Sequence, residues 1–376
     1  MKVAYKSLHR GMGMSWLAQV RCGHLVVFFI AITVFVYLSL YLNNNQLQTT
    51  ASPLRTYEVR LVQTSSSNSS QPDTEGQFPP VVPSHSTVNA TANNTNQGPD
   101  LTKGVAAEKI YEAGHMHHTS EICSNMGKDV KLLIAITSAP SHESARLAVR
   151  ETWGHFAIRK DIVIAFMLGT ISNQTVNDRI EKEQEIYGDI IRGKFIDTYD
   201  NLTLKTISML EWVNKRCSKA QFVLKTDDDM FINVSRLLAF IAKHKPEERV
   251  IYGRLARKWK PIRRKQSKYY ISPQQYKPTV FPDFTTGPAY LFPAHISKEL
   301  YEKSLNYTYF KLEDVFVTGI VANGLNIKRV HVPEFINKRI SFTPCNIQKE
   351  ISIHMVKSSE QYDLWKKLHD AAKCKK

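Results

Sequence analysis

The chain is short of acid: its 376 residues carry 34 Asp and Glu against 50 Lys and Arg, a formal net charge of +16 at pH 7. Such a surplus raises nucleic acid as a partner, because clustered Lys and Arg release counterions from phosphate backbones. The basic residues read as diffuse, however, and no zinc-finger, basic-zipper or RNA-reading signature accompanies them, so nucleic acid is not expected. Cysteine is also scarce. The five residues Cys22, Cys123, Cys217, Cys345 and Cys374 have spacings that fit no zinc site. A P-loop, a kinase signature and a two-metal constellation are missing too, which leaves phosphotransfer and hydrolysis without a motif.

Only one long apolar run was identified, Leu25–Leu42 (LVVFFIAITVFVYLSLYL). It is uncharged and near the lower end of the length that spans a bilayer. No small-residue cleavage pattern follows, which argues against a removed signal peptide. Lys2, Lys6, Arg10 and Arg21 precede it, and the next basic residue after it is Arg55. The positive-inside bias then puts residues 1–24 in the cytosol and the rest across the membrane. Residues 43–120 are rich in Ser, Thr, Asn, Gln and Pro and poor in apolar periodicity, so they read as a disordered stem. His115, His117 and His118 look like a metal tract but, in a stem, read as solvated chain. Asn-x-Ser/Thr triplets begin at Asn68, Asn89 and Asn93 in that stem and at Asn173, Asn201, Asn233 and Asn306 beyond it. Together with an anchor they make a secretory-pathway lumen coherent. Cys123, Cys217, Cys345 and Cys374 then suit two disulfides, in any of three pairings.

From residue 121 to 376 the chain can bury a core of its own. Val130 to Thr137 reads as a buried strand, followed by a helix from about Ser141 to Trp153. A strand from Ile162 to Leu168 and a polar helix through Tyr187 come next. A strand near Ile190 to Phe195, a helix from about Leu202 to Arg216 and a strand from Phe222 to Thr226 complete the run. Alternation of this kind predicts an α/β fold whose mainly parallel sheet is flanked by helices, with ligands beyond the carboxyl ends of the strands. Just past Thr226 stand Asp227, Asp228 and Asp229. Three adjacent carboxylates repel one another unless a cation neutralises them, and a hard divalent ion, Mn2+ or Mg2+, is the natural candidate.

These residues belong to a longer series. Arg146-x-x-x-Arg150-x-Thr152-Trp153-Gly154, Phe166-Met167-Leu168-Gly169 and Asp200-Asn201-Leu202-Thr203-Leu204-Lys205-Thr206 come in order. Lys225-Thr226-Asp227-Asp228-Asp229 and Glu313-Asp314-Val315 follow them. The series resembles the β-1,3-galactosyltransferase/β-1,3-N-acetylglucosaminyltransferase family over residues 121–376. That resemblance implies a GT-A glycosyltransferase fold, a UDP-sugar donor, an inverting reaction and a type II topology in the Golgi membrane. The basic domain would then serve an anionic nucleotide-sugar, UDP-galactose or UDP-GlcNAc, with a glycan on a glycoprotein or glycolipid as acceptor. UDP-galactose is the favoured donor.

By the same resemblance Asp229 is the expected metal ligand, with Asp227 and Asp228 supporting the ribose and the ion's surroundings. Lys205 resembles a donor-site lysine. Arg146 and Arg150 share a helix face and could reach nucleotide or diphosphate oxygens. Inversion needs one in-line displacement and hence one base; Asp314 matches that position, with Glu313 as its rival. The chain departs from the commoner family pattern by one extra residue between this acidic pair and Gly319. His354 resembles a late histidine that completes metal or diphosphate binding, whereas His331 alternates with apolar residues and reads as a strand residue. The segment from Lys268 to Tyr290 resembles an acceptor-side region whose aromatics could stack on sugars, and Trp153 is assigned to packing. A catalytically silent sugar-binding module would be favoured by an altered acidic motif, which this chain does not have.

Overall fold

A computed structural model describes residues 104–116, 119, 121–370 and 374, all within one compact unit, Thr91–Lys376. The expected cytosolic tail, the Leu25–Leu42 anchor and most of the stem lie outside the described residues. Among the described residues no helix is long and apolar enough to cross a membrane.

Leu132–Thr137 forms strand β1, with every residue buried. Leu133 and Ala135 face one apolar cluster while Leu132, Ile134 and Ile136 face another. A strand that is apolar on both faces belongs at the centre of a sheet covered on both sides. β1 pairs in parallel with β2 (Ile162–Thr170) and with β4 (Phe222–Asp227), and β2 pairs in parallel with β3 (Ile190–Ile196). β7 (Phe284–Pro293) then runs antiparallel between β4 and β6 (Val250–Ala256), and β8 (Lys328–His331) closes the edge beside β6. The order is β3-β2-β1-β4-β7-β6-β8, and a separate small ribbon joins β5 (Phe231–Ile232) to β9 (Ser352–Ile353). The mainly parallel α/β sheet read from the sequence is present.

The helices cover both faces. Leu202–Arg216 is buried at every position from Thr203 to Val213, lying between the sheet and the helix Ser297–Asn306. Val149, Ile180, Leu237 and Leu364 bring four other helices to the opposite face. The ends of the Gln174–Tyr187 helix are legible locally. Asn173 Oδ1 accepts from Val176 N, and Gly188 ends the helix in the left-handed region at φ 65°. Trp153 is fully buried and its Nε1 donates to Gln361 Oε1 at 3.2 Å, a packing role as assigned. Of the three possible pairings the structure has Cys123–Cys217 and Cys345–Cys374.

Two expectations need correction. The stem does not run to residue 120. Ala107 N donates to Tyr307 O at 2.9 Å, Tyr309 N donates to Val105 O at 2.7 Å, and Tyr111 Oη donates to the buried Glu211 at 2.6 Å. His115 pairs with Gly193 in a β-bridge and its Nε2 lies 3.1 Å from Ser208 O, so it is part of the folded domain and not solvated chain. A buried carboxylate needs donors, and Glu211 obtains two of them, Tyr111 Oη and Gly114 N, from this segment, beside Lys215 of its own helix. Asn233, which heads one of the Asn-x-Ser/Thr triplets, is 5% exposed. Its Oδ1 accepts from Arg236 N as a helix cap and its Nδ2 donates to Ile347 O, so its amide nitrogen is not open to modification in the folded chain.

Candidate active site

The carboxyl ends of β1 and β4 lie side by side, with Thr137 opposite Asp227. Thr137 Oγ1, at the end of β1, donates to Asp227 Oδ1 at 2.6 Å. Asp228 is 8% exposed, and its Oδ2 accepts from Ser138 Oγ at 2.7 Å and lies 2.9 Å from His142 Nδ1. That contact with Asp228 raises the His142 pKa, with burial opposing it. Asp229 is half exposed, and its Oδ2 lies 3.3 Å from His354 Nε2. His354 follows β9, whose pairing with β5 brings the C-terminal segment to the acidic turn. Burial alone would lower the His354 pKa, but Asp229 beside it outweighs burial and raises it.

Asp227, Asp229 and His354 offer one ligand atom each, all within 4.8 Å of one another. Asp227 Oδ1 is already taken by Thr137 and Lys225, while its Oδ2 has no partner among the described residues. Two carboxylates and one imidazole converging on one point fit a divalent ion, and oxygen-dominated donors of this kind suit Mn2+ or Mg2+. Beside the cluster Asp229, Arg339, Met355, Val356 and Lys357 line an open recess of about 560 Å³. Met355 adopts a left-handed conformation, φ 63°, unusual for a residue with a side chain. Arg339 donates to its carbonyl and Val356 N donates to Asp229 O, which holds this turn against the acidic one.

Lys225 joins this cluster to the second acidic pair. The residue is 4% exposed, and its Nζ donates to Asp227 Oδ1 at 2.6 Å and to Gly287 O at 2.8 Å, with Glu313 Oε2 at 3.9 Å. Burial opposes its charge, but the carboxylates around it prevail and raise its pKa. Sequence reasoning quoted Lys225 within a motif and gave it no role, although a lysine inside the apolar run Phe222–Asp227 was itself a signal. Asp314 accepts from Gly287 N at 3.1 Å and Val315 N at 2.9 Å. Burial raises its pKa and these backbone donors partly offset that. Glu313 is 7% exposed, accepts from Tyr290 Oη at 2.7 Å, and is pushed by burial up to about 7.

The extra residue after the acidic pair has a physical home. Val315–Val321 is a π-helical turn, the form a helix takes when it absorbs one inserted residue, and such turns recur at functional sites. Thr318 Oγ1 donates to Asp314 O and accepts from Thr285 N, pinning the turn to β7. His331 ends β8, where its Nδ1 accepts from Leu255 N, as a strand residue would.

Three expected donor-binding side chains are engaged elsewhere. Arg146 is fully buried and grips Glu183 at 2.6 and 2.8 Å, with its remaining N–H groups on Ser138, Ala139 and Pro140. Arg150 holds Glu183 at 2.7 Å and forks onto Asp189. The two guanidiniums overcome the effect of burial and keep the Glu183 carboxyl below its usual range. Lys205 is 2% exposed, donates to Ser138 O at 2.6 Å and pairs with Asp197 at 2.8 Å. Arg146 and Lys205 therefore brace the loop after β1, one layer behind Asp228, while Arg150 clamps Glu183 to Asp189.

Residues 144–333 match the family described as galactosyltransferase. This chain belongs to that family. It is 35% identical over 245 residues to human "Beta-1,3-galactosyltransferase 5", covering 64% of this chain and 79% of the relative. It is 35% identical over 243 residues to mouse "Beta-1,3-galactosyltransferase 1", covering 63% and 74%. Among solved structures the galactosyltransferase LgtC, in complex with donor and acceptor sugar analogs, superposes with TM-score 0.35 at 9% identity over 64% of this chain and 97% of that one, a likeness too loose to build on. This member of the galactosyltransferase family is thus a hexosyltransferase. The matched segment holds Asp227, Asp229 and Asp314, while His354 lies beyond it.

Proposed function

We propose that the enzyme transfers galactose from UDP-galactose in β-1,3 linkage to a terminal sugar of a glycoprotein or glycolipid glycan, with inversion and with a divalent ion, as a type II protein of the Golgi membrane. One observation carries the chemistry. Two acidic groups of different character flank the buried Lys225: the open Asp227, Asp229 and His354 cluster on one side and the Glu313–Asp314 pair on the other. A bound divalent ion would offset the negative charge of the leaving diphosphate. Asp227, Asp229 and His354 would hold it. Lys225 fixes Asp227 in place, because its buried ammonium donates to Asp227 Oδ1.

Asp314 is the base. Its two backbone donors hold the carboxylate in place while burial raises its proton affinity, and it remains partly open to an incoming hydroxyl. In a single displacement the acceptor oxygen bonds to the anomeric carbon, its proton passes to Asp314, and the bond to UDP breaks. Glu313 is closed off by Tyr290 and Lys225, which suits it to support Asp314. UDP-galactose is favoured over UDP-GlcNAc because the relatives named above are galactosyltransferases. The test is transfer from labelled UDP-galactose and UDP-GlcNAc to a panel of acceptors, with EDTA and with Mn2+ restored, and linkage analysis of the product. Transfer of galactose that EDTA abolishes and Mn2+ restores supports the reading; full activity in EDTA, or transfer of GlcNAc alone, overturns it.

A further inference from the structure

The charge read as diffuse is not. Residues 254–268, from the end of β6 into the loop toward β7, hold eight Lys or Arg and no Asp or Glu. Arg257 has Asp283 at 3.6 Å, and Arg263 donates to the carbonyls of Ile271, Tyr276 and Pro278, folding the loop on itself. Lys258, Lys260, Arg264 and Lys265 are exposed, and none has an acidic partner among the described residues. Like charges held together without counterions repel, a cost that a bound anion removes.

The loop is anchored at both ends beside the site. Trp259 is 54% exposed, yet its ring packs edge-on against Phe284 at 5.6 Å and its carbonyl accepts from Phe281 N at 2.8 Å. Phe284 opens β7, the strand whose Gly287 holds Asp314. Lys258, next to Trp259, takes a left-handed conformation at φ 57°, so the turn that presents it is built against backbone preference. At the other end the Lys268 ammonium stands 4.9 Å from the Tyr269 ring and 5.1 Å from the Tyr199 ring. The two tyrosine rings meet edge to face at 6.4 Å. Burial, then Tyr269 and the charge of Asp314, raise the Tyr199 pKa.

The side of the site that carries Asp314 receives the acceptor hydroxyl, whereas the donor diphosphate belongs with the Asp227, Asp229 and His354 cluster. We propose that the 254–268 loop is an acceptor subsite for an acidic glycan, one carrying a carboxylate or sulfate group on a sugar beyond the one that receives galactose. The inference rests on the galactosyl-transfer reading above. Exposed Trp259 and Tyr269 offer ring faces to sugars, and the unpaired cations beside them offer charge-assisted hydrogen bonds to the anion.

The test uses the full-length chain with UDP-galactose and three versions of one oligosaccharide: neutral, sulfated, and bearing a uronic or sialic acid. The parent should show KM lower by roughly tenfold for one or both acidic versions, a preference that raised ionic strength erodes. K258E/K260E and R264E/K265E should lose that preference while KM for the neutral acceptor stays within about twofold. Which acidic version is preferred distinguishes sulfate from carboxylate. No preference in the parent, or equal loss on neutral and acidic acceptors in both variants, overturns the subsite. Binding of the sulfated oligosaccharide without donor is measured in parallel. If that binding depends on the four residues while no acceptor receives galactose, the transfer reading fails and the anion site stands. Capture by phosphatidylserine vesicles but not phosphatidylcholine vesicles, lost in both variants and without any glycan preference, would make the loop a lipid-facing surface and also overturn the proposal.

Discussion

A proton acceptor must be ionised and reachable at once, and the adjacent residues Glu313 and Asp314 divide on that requirement. Asp314 keeps two backbone N–H donors and an open face, while Glu313 is enclosed by Tyr290 and Lys225. Asp314→Asn should therefore cut turnover by roughly a hundred- to ten-thousand-fold with UDP affinity little changed. Turnover within about threefold of the parent, far below that range, would remove Asp314 from the role. Glu313 predicts a dependence of stability on pH. Its folded pKa of about 7 exceeds the unfolded carboxyl value of 4.5, so the folded state holds the extra proton between them. Stability from this group is full below the unfolded value and falls as pH rises through the folded one, by up to about 3 kcal/mol. Melting measured in chelator from pH 4.5 to 7.5 should decline in the parent relative to Glu313→Gln. A parallel course in the two proteins would show that Glu313 is ionised throughout.

At the scale of elements, the helix Glu143–Arg150 shows what the sequence could and could not reveal. The periodicity placed the helix and put Arg146 and Arg150 on one face, but it could not show that Glu183 of the Gln174–Tyr187 helix and Asp189 would occupy both forks. Partners distant in sequence leave no local trace. Arg146→Ala should thus act through folding: it takes two of three guanidinium bonds from the buried Glu183 and leaves it Arg150 alone, a loss of up to about 3–5 kcal/mol. A large drop in melting temperature is expected, and a rise in donor KM with unchanged melting would restore the ligand role. Strands β1, β2 and β4 were legible because both-face burial leaves apolar runs, and the acidic triplet was legible because like charges crowded at a strand end demand a reason. The π-helical turn was visible only as a spacing anomaly. Lys225 was hidden in plain view, since a lone charge in an apolar strand has meaning only once Glu313 and Gly287 are brought beside it.

For the whole molecule, the boundary of the folded unit is the sharpest prediction. Removal of residues 1–45 should release a secreted, active enzyme, and removal through residue 103 should leave the described core intact. Removal through residue 120 takes away Ala107, Tyr111 and His115 and leaves Glu211 short of two donors. That version should melt lower by several degrees or fail to be secreted, since each hydrogen bond lost from a buried carboxylate costs about 1–3 kcal/mol. Equal melting of the two truncations would show that the segment 104–116 contributes nothing to the core.

The pairing of β5 with β9 has a further consequence, in time. Asp227 and Asp229 are translated more than a hundred residues before His354, and β7, which stands between β4 and β6, also comes late. Contacts so distant along the chain form slowly. A nascent chain halted at residue 333 would hold the whole segment shared with the family and still lack the imidazole. The enzyme would therefore switch on only at the end of its own synthesis, after the last strand has cleared the ribosome. Until then an unfinished chain would have no complete ion cluster with which to act on the sugar nucleotides around it.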